Sequence, residues 1–398
     1  MGRMTGKTNA DSRASCRFAT LGVLSLMLGS SFAPGATQAG APPFYQPKIV
    51  AYVTAWSPSV SIDTRRITHV NFAFALIDDT GRIMVRPGPA ETRLREIIAV
   101  RRAHPTLRVL ASVGGWGADG FSDAAFDAQS RRRFAESAVG IVRRYGLDGI
   151  DLDWEYPGQD VAGIKARPED RENFTRLLAT LRMQLDTESR LTHRASSNAY
   201  LLTIATADRD YFAHVEMGRL QRYVDWVNVM AYDFYNSLTR TTGHHAGLHR
   251  ADTAPPTDRW ADDSVAQHLA AGVPARKIVL GVAFYGRRFE GVTPQHDGLN
   301  QPYERYGGDH SYREIVASFI DRNGYARHWD ERALAPWLWN PGTRSFVTYD
   351  DPASIRLKAR FARKLGGVMF WELSQDDASG ALLEAITLGL EDELKDRP

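Results

Sequence analysis

The segment Leu147–Pro157 reads LDGIDLDWEYP and places Asp151, Asp153 and Glu155 two residues apart. On an extended chain, residues two apart share a face. The three acids therefore face one way, and Ile150, Leu152 and Trp154 the other. Acids crowded on one face resist ionising together, so at least one should keep its proton near neutrality. A carboxylic acid of that kind can protonate a leaving oxygen, as cleavage of a glycosidic bond requires. Glu155 comes last, at the carboxyl end of the strand, and is the acid candidate. Two blander readings compete: a solvated strand face, or a divalent-cation site. The apolar flanks argue for burial, where unpaired acids are costly, and no His or Asn partner for a metal stands nearby.

Short runs rich in Val, Ile and Phe alternate with longer amphipathic stretches after Pro43. Strands are expected at Lys48–Thr54, His69–Ala75, Arg108–Val113, Gly149–Trp154, Leu201–Ala205, Trp226–Met230, Ile278–Val282 and Gly367–Trp371. Helical periodicity falls between most of them, as at Ala90–Ala103, Arg131–Tyr145, Pro168–Asp186, Asp263–Ala271 and Pro352–Leu365. Eight strands separated by helices predict an α/β fold, a (β/α)8 TIM barrel with catalytic residues at strand ends. The stretch 285–349 is too long for one helix and holds aromatic and glycine-rich segments. It is expected to form a small α+β insertion between strands 7 and 8. The expected organisation is a leader over 1–41, barrel over 45–284, insertion over 285–349 and the last part of the barrel over 350–390.

The leader has a secretory order: basic Arg3, Lys7, Arg13 and Arg17, an apolar run from Ala19 to Phe32, then small residues around Ala36, Ala39 and Ala41. Secretion to an extracellular or periplasmic space is expected, with no membrane span. The single cysteine, Cys16, lies in that leader, so the mature chain should have neither disulfide nor cysteine metal site. Net charge is +2, of which the leader to Ala39 supplies +3 from four bases and one acid, leaving −1. That balance gives no electrostatic case for nucleic acid. No metal or cofactor is implied, and a monomer is expected.

Together these motifs resemble the family 18 glycoside hydrolases, which carry D-x-x-D-x-D-x-E on the fourth strand: here Asp148, Asp151, Asp153 and Glu155. The resemblance extends to Ser112–Gly115 on the third strand, Met230–Asp233 on the sixth, Phe284–Arg287 leading into the insertion, and Gly367–Glu372 on the eighth. It covers nearly everything after Lys48 and implies hydrolysis of β-1,4-linked N-acetylglucosamine polymers, chitin and chito-oligosaccharides, with substrate-assisted retention. In that scheme Glu155 is the acid and then the base. Asp153 holds the acetamido N–H, Asp151 shares a proton with Asp153, and Tyr232 orients the acetamido oxygen. Trp371 should floor the cleavage point. Tyr52, Phe72 and Trp116 should line the groove, together with Gly115 and Met230, and Asp233 and Arg288 should make polar contacts there.

Other features invite plainer readings. Trp154 should pack behind the strand, and Asp148 should serve structure at its entrance. Gly114 and Gly115 should permit close backbone approach to the acids. His244 and His245 are adjacent, so a shared metal is disfavoured, and exposed loop positions are expected. Two rival functions share the motif set. An endo-β-N-acetylglucosaminidase would tend to have Gln in place of Met230. A non-catalytic chitin-binding lectin would usually lack one of the acids retained here.

Overall fold

The eight apolar runs pair side by side in a computed structural model that describes residues 46–392 apart from 60 and 256. The expected secretion leader lies outside the described residues. The barrel strands are Lys48–Thr54, His69–Ile77, Arg108–Gly114, Gly149–Asp153, Leu201–Thr206, Trp226–Val229, Ile278–Ala283 and Gly367–Trp371. Each is parallel to its neighbours, and the last pairs with both the seventh and the first, so the sheet closes on itself. Closure leaves no open edge. It is the eight-stranded parallel barrel expected of the sequence.

Why the helices form where they do is visible in their ends and stripes. Helix Ala128–Tyr145 starts at Asp127, whose side chain accepts the Ser130 N–H, and stops at Gly146, which takes a left-handed φ of 69°. Its buried Phe134, Ala138, Ile141, Val142 and Tyr145 recur at helical spacing and face the barrel. Helix Pro352–Ala362 begins with a reciprocal cap between Asp351 and Ser354. Among the described residues, no helix is long and apolar enough to cross a membrane.

Between the seventh and eighth barrel strands the chain builds an antiparallel five-stranded sheet. Its order is Arg305–Ser311, Tyr285–Glu290, Ser345–Tyr349, Ala335–Asn340 and Ala326–Asp330. Helix Tyr312–Ser318 packs against it, capped by Ser311 and Glu314. The strand Tyr285–Glu290 follows the seventh barrel strand directly, so its first residues are delivered to the barrel mouth.

At the opposite, amino-terminal end of the barrel, Asp148 is buried and bonded by Arg101, Arg108, Arg194 and the Val109 N–H. It ties strands and helices together there, far from the acids at the carboxyl ends. Trp154 stacks on Phe121 with centroids 5.2 Å apart and an interplanar angle of 12°, behind the fourth strand.

Candidate active site

Strand register gathers the polar groups. Ser112 lies beside Asp151 and Asp151 beside Thr203, so one ring of the barrel interior is polar. Both oxygens of Asp151 are taken. Ser112 Oγ donates at 2.7 Å, Tyr52 O–H at 2.9 Å and the Asn228 amide at 3.1 Å, and Thr203 Oγ1 donates as well. Burial pushes the Asp151 carboxyl up, and these four donors pull it back.

Asp153 has no such company. It is buried, and its Oδ1 has no hydrogen-bond partner. Burial, followed by the negative charges of Glu155 and Asp151, drives its carboxyl well above the ordinary range. Glu155 is pushed up to about 7 by burial, aided by the charge of Asp233 and opposed by a hydrogen bond from Tyr156. The strand end thus supplies an acid that still holds its proton in part near neutrality.

The close fit depends on glycine. The Gly115 N–H donates to the Asp153 carbonyl at 2.9 Å. A Cβ on Gly114, at φ 116°, would lie 2.1 Å from that same carbonyl oxygen. Any side chain there would push the third and fourth strands apart at the acids.

Tyr232 reaches the groove from beyond the sixth strand, and its hydroxyl meets only Met369 Sδ, at 3.9 Å. That is a weak acceptor, so the O–H remains available. Asp233 sits at a left-handed φ of 61°. Its Oδ1 accepts from Tyr285 O–H and Arg287 Nε, both at 2.7 Å. Burial opposes ionisation of Asp233, but His245 and Arg287 outweigh it and hold the carboxyl below the usual range.

These groups border a groove of about 1520 Å³ across the barrel mouth, whose lining includes Tyr52, Gly115, Trp116, Met230 and Trp371. Trp371 touches Tyr52 at 5.6 Å and stacks on Phe74 at 5.6 Å with planes 22° apart. Trp56, beside Phe74, is exposed, as is Trp116. Flat aromatic faces in a cleft suit the C–H faces of sugar rings.

Three expectations need correction. Phe72 does not line the groove; it is fully buried in the core cluster between barrel and helices. Phe74 lies on the groove instead, because the pairing register with the third strand shifts between Ala73 and Ala75 and re-aims that residue. Arg288 is not at this site either. It pairs with Glu290 at 3.0 Å and bonds the Gly307 carbonyl, bordering a separate hollow on the insertion. Arg287 makes the contact to Asp233, because Tyr285 and Arg287 share one face of their strand and Arg288 faces the other. Finally, His244 and His245 are buried, not exposed. His244 Nε2 lies 3.1 Å from Asp330, and the His245 ring sits behind Asp233 with Nδ1 at 3.8 Å. Sequence reasoning also missed Trp56, Phe74 and the ion pair of Asp208 with Arg259 on the groove wall.

A closed parallel barrel with recessed acids at the carboxyl ends of its strands and an aromatic cleft above them defines a barrel hydrolase acting on carbohydrate. Comparison with known proteins makes the class specific. The family model for glycosyl hydrolases family 18 matches residues 48–376. Chitinase A1 of Niallia circulans is 33% identical, over 90% of this chain and 60% of that protein. Chitinase B of Serratia marcescens is 31% identical, over 81% of this chain and 76% of the other. Among solved structures, a family 18 N-acetylglucosaminidase from Paenibacillus barengoltzii is similar, with a TM-score of 0.80 at 40% identity, covering 87% of this chain and 100% of that one. The chain belongs to glycosyl hydrolases family 18.

Proposed function

We propose that this protein hydrolyses the β-1,4 linkages of chitin and chito-oligosaccharides with retention of configuration, using the substrate's own acetamido group as nucleophile. The observation that carries the reading is Asp153 Oδ1, a buried carboxylate oxygen without a protein partner beside Glu155 and the available Tyr232 hydroxyl. An acetamido N–H supplies the missing donor.

In this scheme a sugar seats over Trp371. Glu155 gives its proton to the glycosidic oxygen while the acetamido carbonyl oxygen attacks the anomeric carbon. The C–O bond breaks, the leaving sugar departs as an alcohol, and an oxazolinium ion forms. Asp153, as carboxylate, accepts the N–H and offsets the positive charge, and Tyr232 O–H holds the attacking oxygen in line. The proton displaced from Asp153 passes to Asp151. Because a hydroxyl both donates and accepts, Ser112 or Tyr52 can rotate to make room for it. Glu155 then takes a proton from water, which opens the oxazolinium and restores the acid.

Colloidal chitin and chito-oligosaccharides should release reducing ends with the β anomer first, seen by proton NMR. A high-mannose glycoprotein should not be cut. Absence of product from all chitin substrates at pH 4 to 9, with binding intact, would instead make this a lectin. A second reading is favoured by the 40% identity to an N-acetylglucosaminidase: attack at chain ends with release of single sugars. Early products from a pentamer or hexamer separate the two. The chemistry needs only one copy of the chain, and a polymeric substrate found outside cells fits export through the leader over 1–41.

A further inference from the structure

The groove wall beyond Glu155 carries an ion pair that the hydrolytic scheme does not use. Asp208 follows the fifth barrel strand, and Arg259 comes from the loop before helix Ala261–Ala270. The Asp208 side chain is 3% exposed and that of Arg259 is 31% exposed. Arg259 Nε donates to Asp208 Oδ2 at 3.0 Å and its Nη2 to Oδ1, while Ser264 Oγ donates to Oδ2 at 3.2 Å. The guanidinium also lies over the Phe234 ring, 4.9 Å from its centroid. Its position is therefore fixed along one edge and one face. Among the described residues, Nη1 has no protein partner, and the residue lines the groove.

The barrel order says which sugar this edge meets. Trp371 ends the eighth strand, opposite the fourth, which carries Glu155. Asp208 and Arg259 lie past Glu155, on the side of Tyr156 and Tyr211, whose rings are 6.1 Å apart. A glycosidic oxygen protonated by Glu155 leaves on that side, carrying its sugar toward Arg259. Anchoring the helix to the strand accounts for Asp208 and Ser264. It does not account for an arginine whose remaining edge is turned to the groove.

We propose that Arg259, clamped by Asp208, is a specificity residue for the leaving-group sugar and selects an N-acetylated unit over a deacetylated one. This rests on the chitin reading above. A guanidinium only donates hydrogen bonds. An acetamido carbonyl accepts them, whereas the ammonium of a glucosamine unit also only donates. Donor then faces donor on a wall where Asp208 has no oxygen to spare. Arg209 and Asp210 line the same wall with opposite charges and Asp208 offsets Arg259, so the wall is close to neutral. Selection therefore comes from hydrogen-bond polarity rather than net charge.

The full chain should be given half-acetylated chitosan, and the new non-reducing ends sequenced by mass spectrometry. In a retaining cut, the leaving-group sugar becomes that end. The unaltered protein should leave acetylated units there in excess of the polymer's own composition. Arg259→Gln, whose amide can turn an accepting oxygen to the ammonium, should raise the ratio of glucosamine to acetylated ends by about five-fold, the worth of one hydrogen bond. The double variant Asp208→Asn with Arg259→Gln keeps the buried pair neutral and hydrogen-bonded, and should show the same shift if the single variant is unstable. Unchanged ends from variants that still cut chitosan would overturn the role of Arg259. Failure of the unaltered protein to cut fully acetylated oligomers would overturn the chitin reading itself.

Discussion

Asp151 and Asp153 face the same side of one strand, yet the first accepts four hydrogen bonds and Oδ1 of the second accepts none. On the proposed chitinase reading, the difference gives them different work. Donors that converge on Asp151 stabilise its charge and fix its place, whereas Asp153 is left to a substrate group. Asp153→Asn should therefore lower kcat by about 10²-fold through lost positioning, with little change in KM or stability. Asp151→Asn should behave differently: its oxygen can keep the Thr203 and Asn228 donors, but its amide turns to the Ser112 and Tyr52 hydroxyls, which must then accept, and the lost charge-assisted bonds should cost about 1–3 kcal/mol in stability. Steady-state kinetics and urea unfolding of the two variants would show the opposite patterns if the roles were reversed.

On the proposed mechanism, Glu155 should set the alkaline limb of the pH profile. The working form is the protonated acid, and its pKa is raised to about 7. Activity should be present below that value and fall about tenfold per pH unit well above it. Glu155→Gln removes the proton donor and should cost at least about 10²–10⁴-fold in kcat, the usual range for a general acid, with oligomer binding retained. The limb should vanish from any residual activity of that variant. A limb that persisted would assign it to another group.

Arg287 and Arg288 are neighbours in sequence but not in function. Arg287→Ala leaves the Asp233 carboxylate without the guanidinium that bonds it at 2.7 Å, beside Tyr232 and Glu155. Turnover should fall by about 10²-fold as the site loses alignment. Arg288→Ala removes a contact to Glu290 and Gly307 on the insertion and should change kcat/KM by less than about two-fold. Equal losses in both variants would mean that the groove extends over the second arginine.

Much of this was legible because it is local. Runs such as Ile278–Val282 are apolar throughout, as strands buried on both faces must be, and the acids at 151, 153 and 155 share a parity that no tertiary contact alters. Parity from Tyr285 would also have found Arg287, since both must face Asp233. Phe74 could not be read that way. Alternation gives it the same face as Phe72, and only the register shift after Ala73 separates them. The burial of His245 depends on the insertion sheet, whose Thr348 hydroxyl accepts the His245 N–H at 2.9 Å. Asp208 and Arg259 stand 51 residues apart, on loops that follow the neighbouring fifth and sixth strands, and no motif links them.

The opposite end of the barrel makes a prediction about stability without catalysis. Burial opposes the charge of Asp148, but the Arg101 side chain, the Val109 N–H and Arg108 outweigh it and hold the carboxyl below its ordinary value of 3.8. A folded pKa below the unfolded one means that the group stabilises the fold above the unfolded value. That stabilisation is lost as pH falls from 3.8 through the lower folded value. Asp148→Asn should cost about 3–5 kcal/mol near neutrality, because it leaves Arg101, Arg108 and Arg194 around a neutral group. The penalty should shrink as pH drops below 3.8, where the unfolded carboxyl takes up a proton first and the folded one only at lower pH. Urea unfolding at pH 7 and pH 3 tests this, and kcat measured below the unfolding temperature should be unchanged. An equal penalty at both pH values would show that Asp148 acts through packing and not through charge.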